Sequence, residues 1–124
     1  MSHSLALRIG AVSGLLAVAL GAFGAHGLKE VLEHNAAAAI WEKAVFYQFI
    51  HAVMLFVLAR GTSLERGPWF SFLVGIVLFS GSLYVYAVTR LHWLVFITPF
   101  GGVSFLIGWL WLVITPCSKA TPPP

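Results

Sequence analysis

Four long stretches without a charged side chain account for most of this chain of 124 residues. They measure 20, 16, 23 and 28 residues and run over 9–28, 44–59, 67–89 and 91–118. A helix needs about 20 residues, with a range of about 17 to 25, to cross the hydrocarbon core of a bilayer. Segments this apolar satisfy their backbone N–H and C=O groups in lipid only by closing them within helices. The sequence therefore predicts a chain that is nearly all membrane-embedded.

The predicted fold is an all-α membrane protein in which four transmembrane helices form an antiparallel bundle. Short polar connections before Pro68 and around Arg90 leave room only for hairpins between neighbouring helices. A single transmembrane domain is expected over 1–115, followed by a Pro-rich tail over 116–124 that cannot continue a helix. The predicted spans cover about 7–25, 42–60, 68–88 and 92–115.

Composition limits the possible partners. Hydrophobic residues make up 60% of the chain and charged residues 9%, whereas a soluble domain has about 25% charged residues. The seven Lys and Arg are scattered near predicted helix ends, where their side chains reach toward lipid headgroups. Nucleic acid would require a clustered basic surface, so membrane lipids are the expected partners and nucleic acid is not. With Cys117 as its single cysteine, the chain can form no internal disulfide.

An amphipathic helix is predicted over about 28–40, between the first two spans. Leu28, Val31 and Leu32 fall on one face of this helix, and Lys29 falls on the opposite face together with other polar residues. Such a helix lies in the interface plane of a membrane, and Trp41 would anchor it there. Four further tryptophans near predicted helix ends suggest an interfacial aromatic belt. These are Trp69, Trp93, Trp109 and Trp111.

An even number of spans places both termini on the same side of the membrane. Four cations then lie on the side of the termini and three on the other side. Because cytoplasmic loops carry the excess of Lys and Arg, this split favours cytoplasmic termini in a bacterial inner membrane.

Small residues recur at spacings of three and four along the first span. This series comprises Gly10, Gly14, Ala17, Gly21 and Gly24. A series of this kind lets another helix backbone approach closely, so it predicts an interior or interface helix. Self-association or a membrane partner protein is one consequence, and room for a ligand is the alternative.

The clearest polar set within the spans is Tyr47, Gln48 and His51, which share one side of the second helix. Their shared direction predicts a common partner, and the candidates on the third helix are Ser80, Ser82 and Tyr84. Buried polar residues in membrane helices are the first places to look for function. One interpretation is hydrogen bonding that joins helices, and the other is a proton relay or ligand site.

His26, Glu30 and His34 follow one another at spacings of four, which resembles the spacing of metal ligands on a continuous helix. The set matches no known four-ligand pattern, so a solvated polar face is the favoured interpretation and no cofactor is predicted. A haem held by His26 and His51 is a further, weaker alternative.

The fourth apolar stretch is interrupted by Pro99, Gly101 and Gly102, which predict a kink or a short unwound segment. Transporters place such breaks at substrate sites. Close helix packing through Gly101, Ser104 and Gly108 explains the same residues without a substrate.

Missing residue types argue against several activities. The chain has no Asp, and its four Glu all lie in connections or at a helix edge, so no span carries a carboxylate for cation-coupled transport. Nucleophile elbows and phosphate-binding glycine loops are also missing from the sequence. The protein is therefore expected not to be an enzyme.

Several segments together resemble the family called domain of unknown function 423, which includes bacterial inner-membrane proteins similar to YgdD. The resemblance extends from about Leu7 to Ile114 and implies an integral membrane protein with several spans. It supplies no catalytic residues to carry over. The segments that carry it are 21–28, Trp41 to Ala44 with Tyr47, Gln48, His51 and Ala52, 79–84, 98–102, and Gly108 with Trp109.

The leading functional hypothesis is a binding or structural module for a lipid, a small apolar ligand or a membrane partner. A small-solute or proton transporter or channel that uses the polar residues of helices two and three is the alternative. A redox role linked to metal or haem is a third.

Overall fold

The computed structural model describes residues 1–115 and residue 124, and the secondary structure of these residues is helical throughout. Four helices in this part of the chain are long and apolar enough to cross a membrane, and we call them spans one to four. The prediction of an all-α fold with four transmembrane helices is confirmed. The predicted tail over 116–124 lies outside the described residues, except for its last residue. Spans one to four are His3–Ala25, Ala38–Arg60, Arg66–Thr89 and His92–Ile114.

Spans one and two each begin four residues earlier than predicted. Span one begins at His3 because the Ser2 hydroxyl oxygen accepts a hydrogen bond from the Leu5 N–H at 3.2 Å and so caps the helix. Span two begins at Ala38 because the alanines before Trp41 continue its helix. Both helices therefore extend about one turn beyond the predicted starts.

The helix between spans one and two is shorter than the predicted 28–40 and covers only Lys29–His34. It ends there because Ala36 adopts a left-handed backbone conformation, with φ of 51°. Leu32 is buried in a cluster with Trp41 and Ala87. The Asn35 side-chain amide donates to the Ala87 and Val88 carbonyls at 2.9 and 3.0 Å, which ties this connecting helix to the end of span three.

Two of the tryptophans assigned to the membrane interface are buried instead. Trp41 is 5% exposed, and its indole N–H donates to the Leu20 carbonyl at 2.9 Å. Trp69 is fully buried and donates to the Leu55 carbonyl at 3.1 Å. Both predictions were wrong because an indole N–H is satisfied by a backbone carbonyl of a neighbouring helix as well as by a headgroup.

Consecutive spans pack antiparallel. Span one lies along span two, span two along span three, and span three along span four. The start of span one and the end of span four consequently lie at the same end of the bundle. One apolar cluster forms toward this end. A second cluster forms at the other end, beneath the connecting helix. The first contains Ala6, Leu55, Ala59, Trp69, Phe72, Ile76 and Phe105, and the second contains Leu32, Ala37, Trp41 and Ala87.

Spans three and four depart from regular α-helix. Span three contains a π-helical turn over Ile76–Ser80, and span four opens with a 3₁₀ segment over His92–Phe96 before its α-helix, Thr98–Ile114. Pro99 therefore lies in the first turn of that α-helix, where a residue without an N–H is readily accommodated.

Candidate functional site

Gln48 joins three spans through its side-chain amide. The amide nitrogen donates to the Ser13 carbonyl of span one at 3.0 Å, and the amide oxygen accepts from the Tyr84 hydroxyl of span three at 2.7 Å. Gln48 itself is 5% exposed. Its side chain consequently holds spans one and three against span two.

His51 is joined to span four through Trp109. The indole N–H of Trp109 donates to His51 Nε2 at 3.0 Å, and His51 Nδ1 lies 2.7 Å from the Tyr47 carbonyl oxygen. Because an indole N–H can only donate, Nε2 accepts, and Nδ1 carries the proton that is donated to the carbonyl. This pattern of partners selects the neutral Nδ1–H tautomer of the imidazole.

The prediction of a common partner for Tyr47, Gln48 and His51 is wrong. Gln48 bonds toward spans one and three, whereas His51 bonds toward span four. The Tyr47 ring packs on Phe79, with ring centroids 4.6 Å apart. Side chains on one face of a helix can diverge toward different neighbours when three helices meet that face.

Ser80 and Tyr84 lie opposite span two, as the sequence placed them, but they have different partners. The Ser80 hydroxyl donates to the Ala44 carbonyl at 2.7 Å, while Tyr84 bonds to Gln48. Every buried side-chain nitrogen and oxygen in the described part of the chain has a hydrogen-bond partner. These polar groups are therefore used to join helices.

The sequence did not identify Trp109 as the hydrogen-bond partner of His51. Phe105 and Trp109 are separated by four residues and so share one face of span four. Phe105 stacks on His51 with ring centroids 3.7 Å apart, and Trp109 supplies the hydrogen bond. The spacing of two large aromatic residues on a helix that also carries Gly101 and Gly108 is a signal that could have identified this face.

His26, Glu30 and His34 do not share one helical face. Span one ends at Ala25, and a turn over 26–28 separates His26 from the connecting helix, so the continuous helix assumed for the metal hypothesis does not form. All three side chains are exposed. Within residues 1–115, no three His, Cys or carboxylate groups converge as a metal site would require.

The residues of the predicted helix break have separate positions. Gly101 is buried and packs so closely on the backbone of Phe79 that a Cβ at residue 101 would overlap that backbone. Pro99 and Gly102 line a groove of about 410 Å³ beside His51 and Trp109. This smaller groove is lined mainly by aromatic and aliphatic side chains.

A larger groove of about 660 Å³ lies between spans one and two, where the connecting helix closes one end. We call it the span one groove. Its floor is built from small residues of span one, and aromatic residues of span two form a wall. Gly24 lies directly beneath the Trp41 ring, so the glycine makes room for that wall. The groove is lined by Ala17, Val18, Gly21, Ala22, Gly24, Ala25, Leu32, Ala38, Trp41, Glu42, Val45, Phe46 and Phe49.

The small-residue series of span one divides between packing and this groove. A Cβ at Gly10 would lie 2.8 Å from the Phe56 backbone nitrogen, so Gly10 permits close contact between spans one and two. Gly21 and Gly24 line the groove, whereas a Cβ at Gly14 would meet no atom within 4 Å. Spacing alone placed all of these residues in one series, but only some of them face span two.

The four antiparallel apolar spans, joined by hydrogen bonds from polar side chains such as Gln48, define a small integral membrane protein. Residues 20–102 match the family described as protein of unknown function (DUF423), and the chain belongs to that family. This confirms the resemblance found in the sequence.

Curated relatives match over most of their length. The chain is 49% identical over 110 residues to a UPF0382 membrane protein of Staphylococcus epidermidis, covering 86% of this chain and 89% of the relative. It is 45% identical over 113 residues to the UPF0382 membrane protein YwdK of Bacillus subtilis, covering 86% and 90%. It is 38% identical over 120 residues to the UPF0382 inner membrane protein YgdD of Escherichia coli, covering 92% and 90%. No solved structure matches the chain.

Proposed function

We propose that this membrane protein is a binding module that holds the acyl chain of a membrane lipid in the span one groove, and that it is not an enzyme. The observation that carries the proposal is the groove itself, whose volume of about 660 Å³ falls within the range of about 300–1,000 Å³ for small-molecule sites. Its lining is apolar apart from one side chain, as an acyl chain requires.

The size of the groove favours a lipid over a partner helix. A helix about 10 Å wide that rises 1.5 Å per residue occupies about 120 Å³ per residue. The groove would therefore accommodate about six residues of helix, whereas a spanning partner needs about 20. A flexible hydrocarbon chain fills an irregular space of this volume more completely.

The length of the groove also matches a lipid. Its lining on span two extends from Ala38 to Phe49, which is about 16 Å at 1.5 Å per residue. One leaflet contributes half of the hydrocarbon thickness of about 30 Å. The groove thus runs from one end of the bundle to about the midplane, as the chain of a lipid in that leaflet does.

The polar residues of helices two and three give less support to the alternative, a transporter or channel. A transported solute or proton needs side chains that are free to bind it, whereas Gln48, His51 and Tyr84 are each engaged in bonds between helices. The same engagement supports a binding protein over an enzyme, because Gln48 and His51 are the largest polar side chains buried within the described spans.

We place both termini in the cytoplasm, which puts the span one groove in the outer leaflet of the membrane. By sequence, four cations fall on the side of the termini and three on the other, and this excess supports the orientation by the positive-inside rule. A fluorescent protein fused to the carboxyl terminus would fluoresce if this orientation is correct. A periplasmic phosphatase fused there would be active if the orientation is reversed.

Photo-crosslinking tests the acyl-chain proposal. Full-length protein is reconstituted with phospholipids that carry a diazirine on one acyl chain, and the labelled peptides are mapped by mass spectrometry. We expect crosslinks at the groove wall, on Val45, Phe46 and Phe49. Ala22→Trp, which fills the groove, should remove most of them.

Ala19→Trp is the matched control, because Ala19 is also an exposed alanine of span one but does not line the groove. It should leave the crosslinks unchanged. Crosslinks spread evenly over all lipid-facing surfaces, or equal loss in both variants, would contradict the proposal.

A further inference from the structure

The span one groove has one charged side chain, and it lies at the end where a lipid headgroup would be. Of the 13 lining residues, Glu42 is the only one with a charge, and the other 12 are apolar. Glu42 is exposed and is the fifth residue of span two, one turn from its beginning. Phe49, at the deep end of the lining, is seven residues further along, or about 10 Å. The groove is thus apolar at depth and anionic at its mouth.

We propose that the groove selects lipids whose headgroup carries a primary ammonium. This inference rests on the proposed acyl-chain function and adds the chemistry of the headgroup to it. A primary ammonium brings a positive charge to the Glu42 carboxylate and three N–H donors, so it forms a charge-assisted hydrogen bond there.

Other headgroups meet the carboxylate less favourably. An anionic headgroup such as glycerol phosphate brings a like charge toward Glu42 and is repelled. A choline headgroup has the positive charge but no N–H group, so it cannot donate a hydrogen bond. The carboxylate therefore distinguishes headgroups that share the same acyl chains.

The cations at this end of the bundle do not cancel this selectivity. Lys29 of the connecting helix, Lys43 of span two and Arg90 at the end of span three belong to the same end of the bundle, but none of them lines the groove. A lysine ammonium favours an anionic headgroup, but the three cations of this end of the bundle are matched in number by the carboxylates of Glu30, Glu33 and Glu42, so they leave no net positive charge there. Discrimination between headgroups is left to Glu42.

Competition between lipids in native mass spectrometry tests the inference. Full-length protein is equilibrated with equimolar phosphatidylethanolamine, phosphatidylcholine and phosphatidylglycerol with identical acyl chains, and the retained lipids are counted. We expect phosphatidylethanolamine to be retained over each of the others by about two- to five-fold, which is the range an exposed ion pair supplies.

Three variants separate Glu42 from the rest of the surface. Glu42→Gln should abolish the preference while total lipid retention stays unchanged, and Glu42→Lys should shift it toward phosphatidylglycerol. Glu33→Gln is the matched control, because Glu33 is an exposed carboxylate of the connecting helix that does not line the groove. It should keep the wild-type preference.

The outcomes distinguish the two proposals. Equal retention of the three lipids by the wild type, with diazirine crosslinks still in the groove, would overturn the headgroup inference and leave the acyl-chain function standing. A preference that persists in Glu42→Gln would overturn it as well. If the diazirine lipids give no crosslinks in the groove, both proposals fail.

Discussion

Span two packs differently on its two sides. Toward span one, small residues bring the two backbones together, as Gly10 does against the backbone of Phe56. Toward spans three and four, aromatic rings fill the space, as Phe105 does where it stacks on His51. Helices in lipid associate by close packing and hydrogen bonding, because apolar burial alone does not distinguish protein from lipid. Close approach of the backbones predominates toward span one, and packing of aromatic rings predominates toward spans three and four. Only the side toward span one leaves a large groove.

The glycines define this comparison most clearly. Gly10 and Gly101 each lie against the backbone of another span, whereas a Cβ at Gly14 or at Gly81 would meet no atom within 4 Å. The contact between spans one and two and the contact between spans three and four therefore each depend on a glycine, and each pair of spans also carries a glycine that packing does not require.

The largest effect is expected for Gly101→Ala. The new Cβ would overlap the Phe79 backbone, which cannot move without disturbing the π-helical turn of span three. We expect the free energy of unfolding to fall by about 3 kcal/mol, at the upper end of the range for overpacking. Unfolding in mixed detergent micelles, followed by circular dichroism, measures this change. Gly81→Ala is the control and should be close to neutral.

A smaller loss is expected for Gly10→Ala, at the contact between spans one and two. The added Cβ would lie 2.8 Å from the Phe56 nitrogen, so spans one and two must separate slightly. The expected loss in unfolding free energy is about 1–2 kcal/mol, and Gly14→Ala should lose none. Equal losses for Gly10→Ala and Gly14→Ala would show that the close contact between spans one and two is not at Gly10.

Gln48→Leu removes two hydrogen bonds that connect three spans. Hydrogen bonds between membrane helices contribute about 0.6 kcal/mol on average and up to about 1.7 kcal/mol, so the expected loss is about 1 kcal/mol in the same unfolding measurement. Tyr84→Phe removes only one of the two bonds and should lose about half as much. A larger loss for Tyr84→Phe than for Gln48→Leu would contradict the bridging role of Gln48.

The smallest effect is expected for Trp109→Phe, which keeps an aromatic ring beside His51 but removes its hydrogen-bond donor. We expect a loss of about 0.6 kcal/mol in unfolding free energy. Nitrogen NMR of the His51 imidazole provides the specific readout, because the Nε2 resonance should move toward the shift of an unbonded acceptor. An unchanged Nε2 resonance would show that Trp109 does not donate to His51.

Sequence predicted the spans well because crossing a membrane imposes a length on apolar segments. It placed the starts of spans one and two too late because the predicted starts stay close to the uncharged stretches, which begin only after Arg8 and Lys43. Helical hydrogen bonding continues past a charged residue whose side chain can reach toward headgroups, so charge does not end a membrane helix. The left-handed conformation at Ala36, which ends the connecting helix, has no signal in the side chain of alanine.

The candidate site could be predicted only in part. Gln48 and His51 were identified because polar residues are rare within apolar spans. The partner of His51 was missed because Trp109 is 58 residues away in the chain and its type suggested an interfacial position. Helix rotation within the bundle decides which glycine packs and which faces a groove, and spacing does not determine that rotation.

The most direct test of the acyl-chain function is a structure of the protein crystallised from a lipidic mesophase containing phospholipids with brominated acyl chains. The account predicts anomalous bromine density between spans one and two, along Gly21 and Val45, and loss of this density in Ala22→Trp. A groove that is empty of bromine, or filled by a helix of a second protein molecule, would contradict the account.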